Sequence, residues 1–242
     1  MPYTTAREAR FHTMELGPGR PGEPVVMLHG LFTGSVASWY LTSAPAIAAR
    51  RRVRLVDWRG HGLSERTRSG YGATSMAADL EALTADLPPF AIVGHSYGCA
   101  VALRFLQARP GRVRRMALVE PPLNEVGLLE GMAPERLGAP CADPASRRVR
   151  ALVEETTILA DLAAEPAVTD EDLRALAKVP CLVIGGGHSP FVPSVERIRR
   201  VCPHVRAHVL PGGHDVHVGE AGGVTGLLTG FLETALTEAA HG

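Results

Sequence analysis

The chain has 242 residues, 45% of them hydrophobic and 21% charged, enough for one apolar core or at most two small ones and too apolar for disorder. Its 25 basic and 25 acidic residues cancel, which argues against a general electrostatic footprint for nucleic acid or an anionic membrane. No stretch approaches the ~18 consecutive apolar residues of a spanning helix, and residues 1–20 carry charges and no apolar h-region. Neither a membrane span nor a secretory signal is expected, and a cytoplasmic location is.

In chain order, the stretch around residues 9–16 predicts one or two antiparallel edge strands. Residues 24–29 (PVVMLH) predict a buried strand and residues 53–57 (VRLVD) a second. Helical spacing over 76–87 precedes a third strand at 90–93 (FAIV), and a helix over 99–108 precedes a fourth at 113–120 (VRRMALVE). The alternation then breaks. Between 121 and 179 there is no strong strand, and Pro121, Pro122, Pro134, Pro140, Pro144 and Pro166 cut the segment into short pieces. Helices are expected over 148–163 and 169–178, the second capped by Thr169 with Asp172 in its first turn. Strands at 181–184 and 205–210 follow, with helices over 195–201 and 224–239. Strands alternating with helices predict an α/β domain whose mostly parallel sheet is covered on both faces. The expectation is a single domain over 1–242 with a lid inserted at about 122–179. Cys99, Cys141, Cys181 and Cys202 form no C-x-x-C pair and read as reduced, inert thiols. Lys178 is the only lysine against 24 arginines, a bias read as genomic rather than chemical.

Chemistry concentrates at Gly94-His95-Ser96-Tyr97-Gly98. A G-x-S-x-G between a strand and a helix is the setting of a nucleophile elbow. The turn is tight enough to require small residues on both sides of the serine. It lifts Ser96 Oγ out of the sheet and aims the Tyr97 amide, at a helix N-terminus, toward any developing oxyanion.

With His29-Gly30 ending the first buried strand, the chain resembles an α/β-hydrolase of the serine-nucleophile branch. The resemblance implies that the amide after this pair, that of Leu31, is the second oxyanion donor, with Phe32 as a lesser candidate. Asp57-Trp58-Arg59-Gly60-His61-Gly62-Leu63-Ser64 matches the family's D-x-R-G-H-G-x-S block, which orders the floor of the site. Pro211-Gly212-Gly213-His214-Asp215 resembles the loop that delivers the catalytic base, with His217 as the only local rival. Histidine suits that task because its pKa lies near neutrality.

The third member departs from the commoner pattern. An aspartate is usual after the seventh strand, but Gly185 to Val195 contains no carboxylate, and His188 or Ser189 stands in its place. Glu120, at the end of the preceding strand and 24 residues after Ser96, is the candidate acid. Some relatives carry their acid there, and glutamate has a methylene more reach than aspartate. The histidines at 188, 204, 208, 214 and 217 match no ligand spacing, so no metal and no cofactor is expected.

Taken together, the resemblance implies acyl transfer through a covalent serine intermediate. The elbow, the acid after the sixth strand and the proline-broken lid are most similar to standalone thioesterases that release polyether chains in polyketide pathways. Leu123, Val126, Leu128, Leu129 and Met132 are the candidate acyl-pocket residues. The substrate is expected as a small molecule or as an acyl group on a carrier protein, with no nucleic-acid or membrane partner. A lyase or cyclase on the same scaffold, or a ligand-binding protein without catalysis, are the rival readings.

Overall fold

The structure is a computed structural model and describes residues 3–123 and 144–234. Eight strands form one sheet in the order β1-β2-β4-β3-β5-β6-β7-β8. They are β1 Tyr3–Ala6, β2 Ala9–Leu16, β3 Val25–Leu28, β4 Val53–Val56, β5 Phe90–His95, β6 Val113–Val119, β7 Cys181–Gly186 and β8 Arg206–Leu210. The first two form a hairpin that joins the sheet antiparallel at β4; every pairing from β4 through β8 is parallel. The inner strands β3, β4 and β5 are buried along their whole length. They therefore read as unbroken apolar runs rather than as alternating ones.

The order of β3 and β4 decides where a site can form. From β3 the chain moves outward to β4, then returns past β3 to β5. Right-handed crossovers moving in opposite directions put their helices on opposite faces. Helices α1 Val36–Tyr40 and α2 Ala44–Ala48, between β3 and β4, pack on one face with the final helix Ala221–Glu233. Helices α3 Ala73–Leu83 and α4 Tyr97–Ala108 pack on the other, around Met76, Leu80, Phe105 and Leu106. The crevice at the C-terminal ends of β3 and β5 is thus a topological switch point, where ligands bind in open parallel sheets.

The segment from Pro144 to Lys178 lies on the α3/α4 face. It comprises α5 Pro144–Glu155, α6 Ile158–Ala164, α7 Asp170–Arg174 and a 3₁₀ turn Ala175–Lys178. Its apolar side chains Leu152, Ile158, Leu162, Leu173 and Leu176 belong to the same core as α3 and α4. Asp161 accepts from the amides of Gly70 (2.7 Å) and Tyr71 (2.9 Å), which pins the segment to the loop before α3.

Two boundaries differ from the sequence expectation. The helix expected over 148–163 is two helices, because the Thr157 amide leaves the helical ladder to bond the Arg68 carbonyl at 2.8 Å. The helix expected over 169–178 tightens into the 3₁₀ turn after Arg174; its cap at Thr169 is a full capping box with Asp172. Helices α1 and α2, five residues each, carry too short a pattern to read from sequence. The remaining helices are α8 Val192–Val201, α9 Val216–Gly219 and α10 Ala221–Glu233. Among the described residues no helix is long and apolar enough to cross a membrane.

Candidate active site

Ser96 follows the last residue of β5 and is the N-cap of α4, with φ 51° and ψ −126°. A non-glycine residue at positive φ is strained, and such strain gathers at functional sites. The flanking glycines explain how the turn closes. A Cβ on Gly94 would lie 2.7 Å from the Gly98 carbonyl oxygen, and one on Gly98 would lie 2.8 Å from that of Leu28. Only glycine at both positions lets α4 start this close to β3. The Ser96 amide donates to Val119 at 2.9 Å, which ties the elbow to β6.

His214 follows β8, and its Nε2 lies 2.9 Å from Ser96 Oγ. On the other side of the ring, Nδ1 lies 3.1 Å from Glu120 Oε2. Glu120 is fully buried and, like Ser96, has a positive φ, 58°. The backbone turn at the end of β6 swings the glutamate across to β7. There the Gly186 amide donates to Oε1 at 2.5 Å, and the Ser189 hydroxyl donates to Oε2. Ser189, in the place where the commoner pattern has its aspartate, thus braces a carboxylate that arrives from the neighbouring strand. His188 beside it is exposed. The carboxylate accepts from Nδ1, so His214 keeps Nε2 free to accept from the Ser96 hydroxyl.

The loop after β3 is held by a network that leaves no choice of tautomer. The Trp58 amide donates to His29 Nε2 at 3.1 Å, so His29 Nδ1 donates to the Gly30 carbonyl at 2.6 Å. The Phe32 amide donates to His61 Nε2 at 2.7 Å, so His61 Nδ1 donates to the Arg59 carbonyl at 2.8 Å. Both rings are buried, and burial holds His29 below the usual histidine pKa and His61 down at about 3. The Phe32 amide is spent on His61, so of the two candidate amides Leu31 and Phe32 it is not the one available to a ligand. Gly30 lets the loop lie on the elbow, since a Cβ there would be 2.9 Å from Ser96 Cβ. Asp57 is the hub beneath. It accepts from His12 Nδ1 (2.8 Å), the Val36 amide (2.7 Å) and the Leu63 amide (3.0 Å).

A family model for the α/β hydrolase fold matches residues 23–138, the span from β3 through the elbow to Glu120 and beyond. The chain has the α/β-hydrolase fold. Among the curated relatives of this chain is the magnesium-chelatase 30 kDa subunit of Rhodobacter capsulatus. It is 28% identical over 278 aligned positions, covering 96% of this chain and 96% of that protein. The 2-hydroxy-6-oxononadienedioate/2-hydroxy-6-oxononatrienedioate hydrolase of Paraburkholderia xenovorans strain LB400 is 29% identical, covering 80% of this chain and 79% of that one. The crystal structure of the enol-lactonase from Burkholderia xenovorans LB400 superposes with a TM-score of 0.76 at 19% identity, over 96% of this chain and 100% of that one.

Of the candidate acyl-pocket residues, Leu123 is buried in the core, and its amide donates to Ser194 Oγ on α8 at 3.2 Å. That is the setting of a packing residue. Val126, Leu128, Leu129 and Met132 lie outside the described residues. So does Cys141, while Cys99, Cys181 and Cys202 are buried and unpaired, with thiol pKa values raised by burial.

The sequence offered no signal for the role of His95. Its Nε2 lies 3.0 Å from the His214 carbonyl oxygen, so the elbow itself grips the loop that carries His214. His217 stacks on His95 with ring centroids 3.8 Å apart, beneath Trp39. Both nitrogens of His217 are buried without a partner among the described residues. His95 at the end of β5 and Asp215 and His217 after β8 bring ligand-type atoms within 4.8 Å of one another. The two rings stack at 34°, however, so their in-plane lone pairs run side by side rather than converging on one point. A metal there would require one ring to turn and His95 to keep its bond to His214.

Proposed function

We propose that this α/β-hydrolase is a serine hydrolase that cleaves an ester or thioester through an acyl-enzyme on Ser96. The observation that carries the reading is the unbroken line Ser96 Oγ, His214 Nε2, His214 Nδ1, Glu120 Oε2, with links of 2.9 and 3.1 Å. His214 takes the hydroxyl proton as Ser96 attacks the carbonyl carbon. The amides of Leu31 and Tyr97 receive the oxyanion. Glu120 fixes the tautomer of His214 and stabilises the imidazolium, which then protonates the leaving group. Water activated by the same imidazole releases the acyl group. The hydrolases among the chain's relatives support this class of reaction.

The acyl group we assign is apolar and of the polyketide type, delivered as a small molecule or on a carrier protein. Support for it is the combination of a G-H-S-Y-G elbow with an acid after the sixth strand. The test is covalent labelling with a fluorophosphonate, together with turnover of aryl esters and acyl thioesters. Labelling of Ser96 with burst kinetics is the expected result, and Ser96→Ala should lose both. Full activity in Ser96→Ala would sink the covalent mechanism and favour a lyase or cyclase on this scaffold.

A further inference from the structure

A cavity of about 350 Å³ opens beside Ser96, between the loop after β3 and the turn that carries His214. Thr33, Gly34 and Ser38 form one wall; Asp215, His217 and Val218 form the other. Among the described residues that line it, Asp215 is the only one with a formal charge at neutral pH, and there is no lysine or arginine. The Asp215 side chain is exposed at the rim of the cavity, with an oxygen within 4.8 Å of a ring nitrogen of His95 and of one of His217. It forms no ion pair among the described residues. The two histidines do not neutralise it, because burial holds His217 down at about 4 and His95 well below its ordinary value. Both are therefore uncharged at neutral pH. The imidazolium that forms on His214 during attack is matched by Glu120 on its far side.

The acyl-enzyme reading says which part of the substrate meets this charge. His214 hands its proton to the leaving atom, so the leaving portion lies on the His214 side of Ser96. That is the side walled by the next residues of the chain, Asp215 to Val218. We infer that Asp215 is a specificity residue: the leaving portion that fits this cavity is an alcohol bearing an ammonium group, and a carboxylate in the same place is rejected. Neutral leaving groups pass without penalty. The inference rests on the acyl-enzyme reading for its geometry. Its physical content is a charge at the rim of the cleft that is uncompensated among the described residues, screened in part by the solvent it faces and therefore felt most at low salt.

The experiment compares three butyrate esters of similar size, those of choline, of 3,3-dimethylbutanol and of 3-hydroxypropanoate. At low salt, kcat/KM should favour choline over the neutral isostere by about tenfold and disfavour the carboxylate ester by about as much. Both ratios should shrink toward one at high salt. In Asp215→Asn the ratios should collapse, with the rate on the neutral ester as the reference. If Asp215→Asn lowers all three esters alike, Asp215 acts through His214 and the specificity assignment is overturned. Equal rates for all three esters in the unaltered enzyme overturn it as well. Binding of the same esters to the Ser96→Ala protein, by calorimetry, reads the cavity without chemistry. Preference for the choline ester there, with no ester turnover by the unaltered enzyme, would remove the acyl-enzyme reading and keep the charge assignment. Equal binding of all three would remove the charge assignment and leave the acyl-enzyme reading untouched.

Discussion

Glu120 shows how one side chain can replace another from a different strand. The end of β7 supplies two donors, the Gly186 amide and the Ser189 hydroxyl, to a carboxylate that comes from β6. Glu120→Gln keeps the shape and removes the charge, and the amide can stabilise the wrong imidazole tautomer. The analogous change in a serine protease costs about 10⁴ in kcat, and a loss of that order or somewhat less is expected here from steady-state ester hydrolysis. Full activity in Glu120→Gln would show that the acid has been misassigned. Ser189→Ala removes one fixed donor but leaves the Gly186 amide in place. The carboxylate then gains freedom to rotate away from His214. A loss of about tenfold in kcat with KM little changed is expected, since the interaction matters when the imidazolium forms. A rise in KM with kcat intact would assign Ser189 to substrate binding.

Elements meet at the elbow with no slack. The start of α4 packs its backbone on β3 through Gly98, and a methyl group there would sit 2.8 Å from the Leu28 carbonyl oxygen. Gly98→Ala should therefore push α4 outward and cost about 1–3 kcal/mol in chemical denaturation. Labelling of Ser96 by a fluorophosphonate should slow in parallel; unchanged stability with unchanged labelling would mean that the helix has room to shift. The segment α5 to α7 is held differently, by side chains reaching into the loop before α3. Asp161 satisfies two neighbouring amides, Gly70 and Tyr71. Asp161→Ala leaves both without their partner at a half-buried position, with a cost of about 1–3 kcal/mol. Limited proteolysis should then cut first between α5 and α7. Cleavage elsewhere, with this segment intact, would show that its apolar contacts suffice.

Across the molecule, the buried histidines set the response to acid. His61 is held at about 3 and His217 at about 4, both by burial, and His29 and His95 are lowered in the same direction. In the unfolded chain each takes a proton near pH 6.5. Below that pH the unfolded state binds more protons than the folded one, so stability falls as pH falls. The loss should begin near pH 6.5, above the range where carboxylates titrate, and continue toward pH 4. Thermal midpoints measured from pH 8 to pH 4.5 should show this slope. His217→Phe should reduce the slope, because it removes one of the four rings whose pKa burial lowers. A midpoint that is flat between pH 7 and pH 5 would contradict the assignment of these rings as neutral.

The amino-acid sequence by itself determined the class of fold and the position of the elbow, and it singled out His214 as the proposed base. Apolar runs long enough to be buried strands, alternating with helical spacing, are local properties. So are the glycines that flank Ser96 and precede His214, because backbone geometry within a few residues dictates them. It also made Glu120 the candidate acid, through the lack of any carboxylate between Gly185 and Val195. What the tertiary structure alone decided are contacts between residues far apart in the chain. The switch between β3 and β5 lays Gly30 on Ser96. The amide of Thr157 breaks a continuous helical pattern by finding Arg68. Ser189, which reads from the sequence as a missing acid, becomes a donor to one. His95 meets Asp215 and His217 across more than a hundred residues with no spacing to announce it. Local pattern encodes periodicity and turn geometry; a long-range contact depends on how the sheet orders its strands, and no window of neighbouring residues carries that order.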